Sequence, residues 1–274
     1  MNLSRSAGSA AASVEALFKI LRNTLNSVLA MTEMEVRKLR HEPSDLLTRS
    51  IQPVLWLVIF GQTFAQVRAF YPEGVSYQAF LTPGILSQSV MFIAIFFGIS
   101  IIWEKDMGIL QKFLAMPVPR LALVLGKALA AGVRALSQAG IVFLLAAAIG
   151  IPLRWHFPGL LGAACVATLG AVFFATLSMI IAALVKTRER FMGVGQLLTM
   201  PLFFASNALY PVSIMPSWLK VVAMVNPLSY MVDFLRGALV TGQLDNWALD
   251  VGVLFFASVI SVAVATWLYP QVAG

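Results

Sequence analysis

Residues 160–185 read LLGAACVATLGAVFFATLSMIIAALV, a run without one charged side chain. A helix rises about 1.5 Å per residue, so roughly 20 apolar residues cross a hydrocarbon layer about 30 Å thick. This run is long enough to do so. Five others follow the same pattern: residues 51–67, 80–102, 121–149, 191–209 and 248–269. Lys127 and Arg134 interrupt the start of the 121–149 run, and Pro201 should kink or break the 191–209 run. Apolar residues make up 59% of the chain, charged ones only 11%, and the mean hydropathy is +0.86. A soluble fold of this length cannot hide so much apolar surface in one core. The expected fold is therefore an all-α integral membrane protein of six transmembrane helices. Residues 1–48 form an N-terminal segment, 49–270 the spanning domain and 271–274 a tail.

The charges orient it. The N-terminal segment, the 103–127 region and residues 186–190 together carry fourteen Lys and Arg, against four on the opposite side, with Arg134 inside a run. Basic connections stay cytoplasmic, so both ends are expected in the cytoplasm. The net charge of +7 sits in these short segments, a pattern that suits anionic headgroups and not nucleic acid. Cys165 is the only cysteine and reads as a packing residue. The start of the chain lacks the pattern of a cleaved signal peptide, since Glu15, Lys19 and Arg22 follow its short Ala/Ser stretch.

Three connections carry more than linkage. In residues 18–40, Phe18, Leu21, Leu25, Val28, Leu29, Thr32, Val36 and Leu39 recur at helical steps, with basic residues between them. This predicts an amphipathic helix in the membrane interface. Residues 103–120 read WEKDMGILQKFLAMPVPR. Glu104 and Asp106 are expected to open a short helix at the positive end of its dipole, with Leu110, Phe113 and Leu114 as an apolar patch for a soluble partner. Residues 206–247, on the opposite side, contain two apolar stretches too short to cross, punctuated by Pro211, Pro216 and Pro227. These predict short re-entrant or interfacial helices, with Tyr210, Trp218, Tyr230 and Trp247 at headgroup level. Asp233 and Arg236 are spaced to pair.

Catalytic patterns are missing. No phosphate-binding loop occurs, and Gly126-Lys127-Ala128 lacks the leading glycine and the hydroxyl. His41 and His156 are isolated, so no metal site is expected. No carboxylate lies deep inside a predicted span, which argues against a proton relay. A membrane enzyme acting on lipid would need a His, Asp or Ser cluster that the sequence does not supply; a scaffold without energy coupling is the other alternative. Lys127, Arg134 and Gln138 share a face of the third span. The preferred reading has the two cations snorkelling to headgroups; the other has them binding an anionic lipid or substrate phosphate.

In order and placement these elements resemble the permease subunit of type 2 ATP-binding-cassette exporters, of the daunorubicin-resistance and lipooligosaccharide-export kind. The likeness runs from about Leu17 to Tyr269. It rests on Trp103-Glu104-Lys105-Asp106-Met107-Gly108 with Pro117-Val118, and on Leu209-Tyr210-Pro211-Val212, Pro216-x-Trp218-Leu219 and Asn226-Pro227-Leu228-Ser229-Tyr230. Ile109 stands where many relatives have threonine, which removes a hydroxyl contact there.

The resemblance implies a homodimer of permeases in the cytoplasmic (inner) membrane, working with a separate nucleotide-binding ATPase. This chain would bind no cofactor; ATP and magnesium would sit on that partner. The N-terminal helix would be the family's interfacial elbow, and residues 104–116 its coupling helix. Glu104, Lys105, Asp106, Gly108, Leu110, Phe113 and Leu114 would meet the ATPase, with Arg188 in a second contact at 186–190. The substrate path would lie along the second and fifth spans, at Gln88, Phe92, Phe96, Met200, Phe203, Phe204 and Asn207. Such a lining suits a lipophilic or amphipathic cargo: a drug, a lipid or a lipid-linked glycan.

Overall fold

A computed structural model describes residues 22–30, 32–34, 36, 37, 48, 51–67, 71, 74–115, 118–185 and 187–273. Among them every regular element is helical. Four helices are long and apolar enough to cross a membrane: Tyr77–Asp106, Arg120–Ile149, Phe157–Val185 and Trp247–Gln271. In chain order the elements are α1 (residues 51–66), α2 (Tyr77–Phe96), α3 (Gly98–Asp106), α4 (Ile109–Ala115), α5 (Arg120–Ile149), α6 (Phe157–Val185), α7 (Arg188–Phe204), α8 (Ser217–Val225), α9 (Pro227–Arg236) and α10 (Trp247–Ala273).

α2 and α3 form one 30-residue rod with a break at Phe97. Its N-cap is Ser76, whose side chain accepts from the Ala79 N–H at 3.2 Å. The break sits where α6 and α7 press hardest. A Cβ on Gly98 would overlap the Ser178 hydroxyl and lie 2.7 Å from the Phe191 ring. The rod is the central staff of the bundle: 78% of its apolar window is buried, against 28% for α10 at the periphery. α6 packs on α2, α5 and α10.

Helix ends follow local chemistry. α5 stops at Gly150, which has a left-handed φ of 76°. The Gly150 N–H donates to Ala147 O at 3.0 Å and the Ile151 N–H to Ala146 O at 2.9 Å, the paired bonds of a Schellman end. α3 ends before Gly108, also left-handed at φ 69°, and Pro119 caps the start of α5.

The expected spans meet this architecture unevenly. The third begins at Arg120, with Lys127 inside the helix, and the fourth and sixth extend slightly beyond their expected bounds. Residues 51–66 are helical, through a π turn at Trp56–Phe60 and a 3-10 turn at Phe64–Gln66. α7 runs through Pro201 but ends at Phe204, five residues earlier than expected. Its 17 residues rise about 25 Å, short of the hydrocarbon thickness. Phe191, Gly195, Thr199 and Phe203 form its buried stripe. Leu197, Met200 and Phe204 stay exposed on the other side.

Residues 22–30, 32–34, 36 and 37 are helical, as the amphipathic pattern requires; the Phe18, Leu21 and Leu39 positions lie outside the described residues. Leu25 and Leu29 face outward, while Val28 is buried. The Thr32 hydroxyl donates to Val28 O at 2.8 Å and reaches Gly126 O on α5 at 3.3 Å. The apolar stripe is thus shared between the bundle and the lipid-facing side.

The segment after α7 folds onto α2. A Cβ on Gly84 would overlap the Ala208 carbonyl and lie 2.9 Å from its Cα. Gly84→Ala should therefore destabilise the fold by about 1–3 kcal/mol through overpacking against backbone. Gly140→Ala, on an open face of α5 with nothing within 4 Å of the new methyl, should gain up to about 1 kcal/mol. Thermal unfolding of the detergent-solubilised variants checks both signs.

Candidate functional site

The basic-rich end of the bundle holds a three-element junction. Glu104 and Asp106 do not open the short helix, as the sequence pattern implied. They close α3, and α4 begins only at Ile109. Carboxylates at a helix C-terminus oppose the dipole, so each has acquired a cation. Lys127 Nζ of α5 lies 2.6 Å from Glu104 Oε2, with the lysine fully buried and the glutamate 4% exposed. The same ammonium sits 5.7 Å from the centre of the Phe113 ring of α4. Lys127 therefore does not snorkel to headgroups; it is spent inside the protein. Arg134 also faces protein, with its guanidinium 5.5 Å from the Phe97 ring centre.

A second tie joins α3 to α7. Arg188 Nη2 meets Asp106 Oδ2 at 2.6 Å, and its guanidinium stacks 3.5 Å from the Trp103 ring centre. This pair is partly exposed and worth little by itself. The buried pair is different. Removing one partner of such a pair leaves an uncompensated charge, at about 3–5 kcal/mol.

α4 is anchored from within. Leu110 is fully buried and Phe113 nearly so, which turns inward the apolar patch expected to grip a partner. The outward surface consists of Met107, Gln111 and Lys112, with Trp103 beside them. Lys105 is half-buried, and its carbonyl accepts from the Gly108 N–H at 2.9 Å. The Leu114 side chain lies outside the described residues. Sequence reasoning missed Met107, Gln111 and Lys112 because a seven-residue helix offers too short a window to tell its two faces apart.

A groove of about 160 Å³ opens beside α2, between α1 and α5. Gln88, Phe92 and Phe96 line it, joined by Ser89, by Gln52 of α1 and by Gln138 of α5. The Phe92 and Phe96 rings lie 5.9 Å apart. Three of the residues expected along a substrate path thus meet here. The other positions are elsewhere: Met200 lies on the open face of α7 with Phe204, Phe203 is buried edge-on to Trp56 at 5.5 Å, and Asn207 belongs to the opposite end of the bundle. Gln138, read from sequence only as part of the cationic stripe, is the groove residue that went unassigned.

At that opposite end, side chains close α7. Asn226 Nδ2 donates to Leu202 O at 2.7 Å, the Ser206 hydroxyl to Phe203 O at 2.7 Å and the Tyr210 hydroxyl to Phe204 O at 2.5 Å. Asn207 donates to Asp233, while Arg236 Nη2 donates to Asn207 O at 2.7 Å and lies 3.7 Å from Asp233. The Arg236 guanidinium covers the Phe80 ring at 3.8 Å. Burial pushes the Asp233 carboxyl up, against the opposing pull of Arg236 and of the Asn207 amide. Among the described residues no group of His, Cys, Asp and Glu is placed to hold a metal ion.

The described residues thus form a helical junction at one end, an uncharged groove in the middle and an inward-folded segment at the other end. Residues 26–240 match the ABC-2 type transporter family. The chain belongs to that family. It is similar to a transport permease, ycf38, of Cyanophora paradoxa, at 30% identity over 73% of this chain and 69% of the relative. Nodulation protein J of Rhizobium leguminosarum bv. trifolii is 32% identical over 82% and 85%. The daunorubicin resistance ABC transporter permease protein DrrB1 of Streptomyces coeruleorubidus is 28% identical over 82% and 78%. The chain is accordingly a transmembrane permease subunit of an ABC transporter. ABC-2 permeases work with a separate ATP-binding subunit and are not themselves ATPases. In this ABC-2 permease the junction and the groove both fall within the matched residues.

Lys127→Met and Glu104→Gln should each lower stability, the former by about 3–5 kcal/mol since it strands a buried carboxylate. The double variant Lys127→Met/Glu104→Gln should recover much of that loss. A thermal-unfolding double-mutant cycle reads the coupling directly.

Proposed function

We propose that this permease exports a lipophilic or amphipathic substrate across the cytoplasmic (inner) membrane, driven by ATP hydrolysis on a separate nucleotide-binding subunit. The observation that carries the reading is the Glu104–Lys127 pair beneath Phe113. It fastens the foot of α3 to the long helix α5, and Phe113 of α4 lies against the Lys127 ammonium, so a push on α4 moves the bundle instead of bending a loop.

In this reading α4 is the coupling helix. Met107, Gln111 and Lys112 make the contact with the ATPase. Glu104, Leu110 and Phe113 transmit its movement inward, and Arg188 binds the 186–190 connection to the same lever. The chain crosses six times with both ends in the cytoplasm, as its Lys and Arg distribution favours. α1 and α7 supply the two shorter crossings. ATP and magnesium stay on the partner, and this chain binds neither.

The active unit is a homodimer. The open faces of α1 (Ile51, Leu55 and Ile59) and of α7 (Leu197, Met200 and Phe204) are apolar, and α1 also borders the Gln88–Phe92–Phe96 groove through Gln52 and Pro53. Two copies meeting there would place the grooves on either side of a shared path. The amides and aromatic rings carry no net charge, which fits a largely apolar cargo with a few hydrogen-bonding groups. The Streptomyces relative is named for daunorubicin resistance, and the same class of cargo extends to lipids and lipid-linked glycans.

The purified chain should show no ATP hydrolysis, and its cognate ATPase should be stimulated on reconstitution with it. Met107→Glu and Lys112→Glu should cut that stimulation about tenfold while leaving the thermal midpoint unchanged, as expected for interface contacts. Full stimulation in both variants would remove α4 from the coupling role.

A further inference from the structure

A second cavity, of about 470 Å³, lies at the end of the bundle away from α4. It falls between the start of α6 and the π turn Gly237–Thr241 that follows α9. Its size is that of a small-molecule site. The walls are mostly apolar: Trp155, Pro158, Phe234, Ala238 and Leu244, with glycine backbone between them. Gly159 and Gly162 leave room on α6, since a Cβ on either would meet Ala238 O at 2.9 Å or the Phe234 ring at 3.2 Å.

Two polar side chains line this apolar space, Arg154 and His156, and no carboxylate does. Arg154 makes no ion pair or side-chain hydrogen bond among the described residues. It is nevertheless held in place. Its backbone N–H donates to Leu239 O at 2.8 Å, and its guanidinium lies so close to left-handed Gly242 that a Cβ there would overlap it. Its charge lacks the internal partner that Lys127, Arg188 and Arg236 each possess.

We propose that this cavity binds an anionic phospholipid, with the phosphate on Arg154 and His156 and an acyl chain along the Phe234–Leu244 wall. A guanidinium matches a phosphate by paired hydrogen bonds. The unbalanced positive charge selects a net anionic headgroup over a zwitterionic one. The apolar walls give a free phosphate nothing to bind, whereas an acyl chain fills them. Trp155, Phe157 and Trp247, all more than half exposed, place the cavity at the level of the headgroups. This assignment rests only on the membrane placement of the chain and stands apart from its cargo and its ATPase.

The test is native mass spectrometry of the full chain released from nanodiscs containing phosphatidylglycerol and phosphatidylcholine. Wild type should retain phosphatidylglycerol preferentially. Arg154→Gln should lose it by about tenfold or more and Arg154→Lys by less. Retention by wild type should also fall as salt rises, a readout that needs no variant. Equal retention of the two lipids, unchanged retention in Arg154→Gln, or salt-independent retention would overturn the proposal. Displacement of the lipid by millimolar inorganic phosphate would mark a soluble-anion site and overturn it too. Stimulation of the ATPase, measured separately, should remain at wild-type level in Arg154→Gln; its loss across all preparations would count against the exporter reading and not against this site.

Discussion

Backbone carbonyls left without donors in apolar surroundings cost several kcal/mol each, and α7 ends where that cost must be met. Its 17 residues stop at Phe204. The orphan carbonyls of its last turn accept from Asn226, Ser206 and Tyr210, all of them supplied by the segment that follows. That requirement explains the course of residues 205–236. The chain cannot drift outward after α7; it must return to donate. In returning, it brings Asn207, Asp233 and Arg236 together, with Arg236 over the Phe80 ring, and wedges the Ala208 backbone into the gap left by Gly84. α9 then starts from Asn226, whose side chain caps the Leu228 N–H at 3.0 Å while its amide serves α7.

The other end obeys the same rule with charges in place of carbonyls. Two carboxylates at the foot of α3 sit where the helix dipole disfavours them. Lys127 and Arg188 neutralise them from two different helices, and those two bonds tie α3 to α5 and α7, with Phe113 of α4 against the Lys127 ammonium. The two ties are unequal. Asp106–Arg188 is partly exposed and opens more cheaply. Glu104–Lys127 is dry and holds fast. The junction is thus held more firmly on its inner side than on its outer side.

Long apolar runs were legible because lipid imposes a length and a composition that little else produces; Phe157–Val185 differs from its expected range only by one added turn. The Lys and Arg asymmetry was equally plain. The short elements were harder to read. The stretch Glu104 to Ala115 does hold a short helix, but it begins only at Ile109, and the acidic residues belong to the end of the helix before it. Pattern alone does not tell the last turn of a long helix from the first turn of a short one. Lys127 looked like a snorkelling residue because its partner stands 23 positions away, across a turn. The signal available was opposite charge at the facing ends of consecutive apolar runs. Asn207 looked like a path residue because a polar side chain near the end of a span has two uses, facing a passenger or repairing backbone, and composition does not choose between them.

The contrast between groove and junction bears on how work reaches a cargo. The groove offers Gln52, Gln88, Ser89 and Gln138 beside Phe92 and Phe96, and no ionised group lines it. Amides in a span cost far less than charges, which run to about 2.5–3.5 kcal/mol each even on insertion scales. Such a lining would hold a passenger by shape and hydrogen bonds and not by charge. In the proposed export cycle the energy enters from the ATP-binding subunit, through a connection that must not yield before the bundle does. A pair worth about 0–1 kcal/mol would break under that load. The dry Glu104–Lys127 pair, roofed by Phe113, is of the other kind: parting it would strand a buried charge, so among the described contacts at that end it resists separation more than Asp106–Arg188 does.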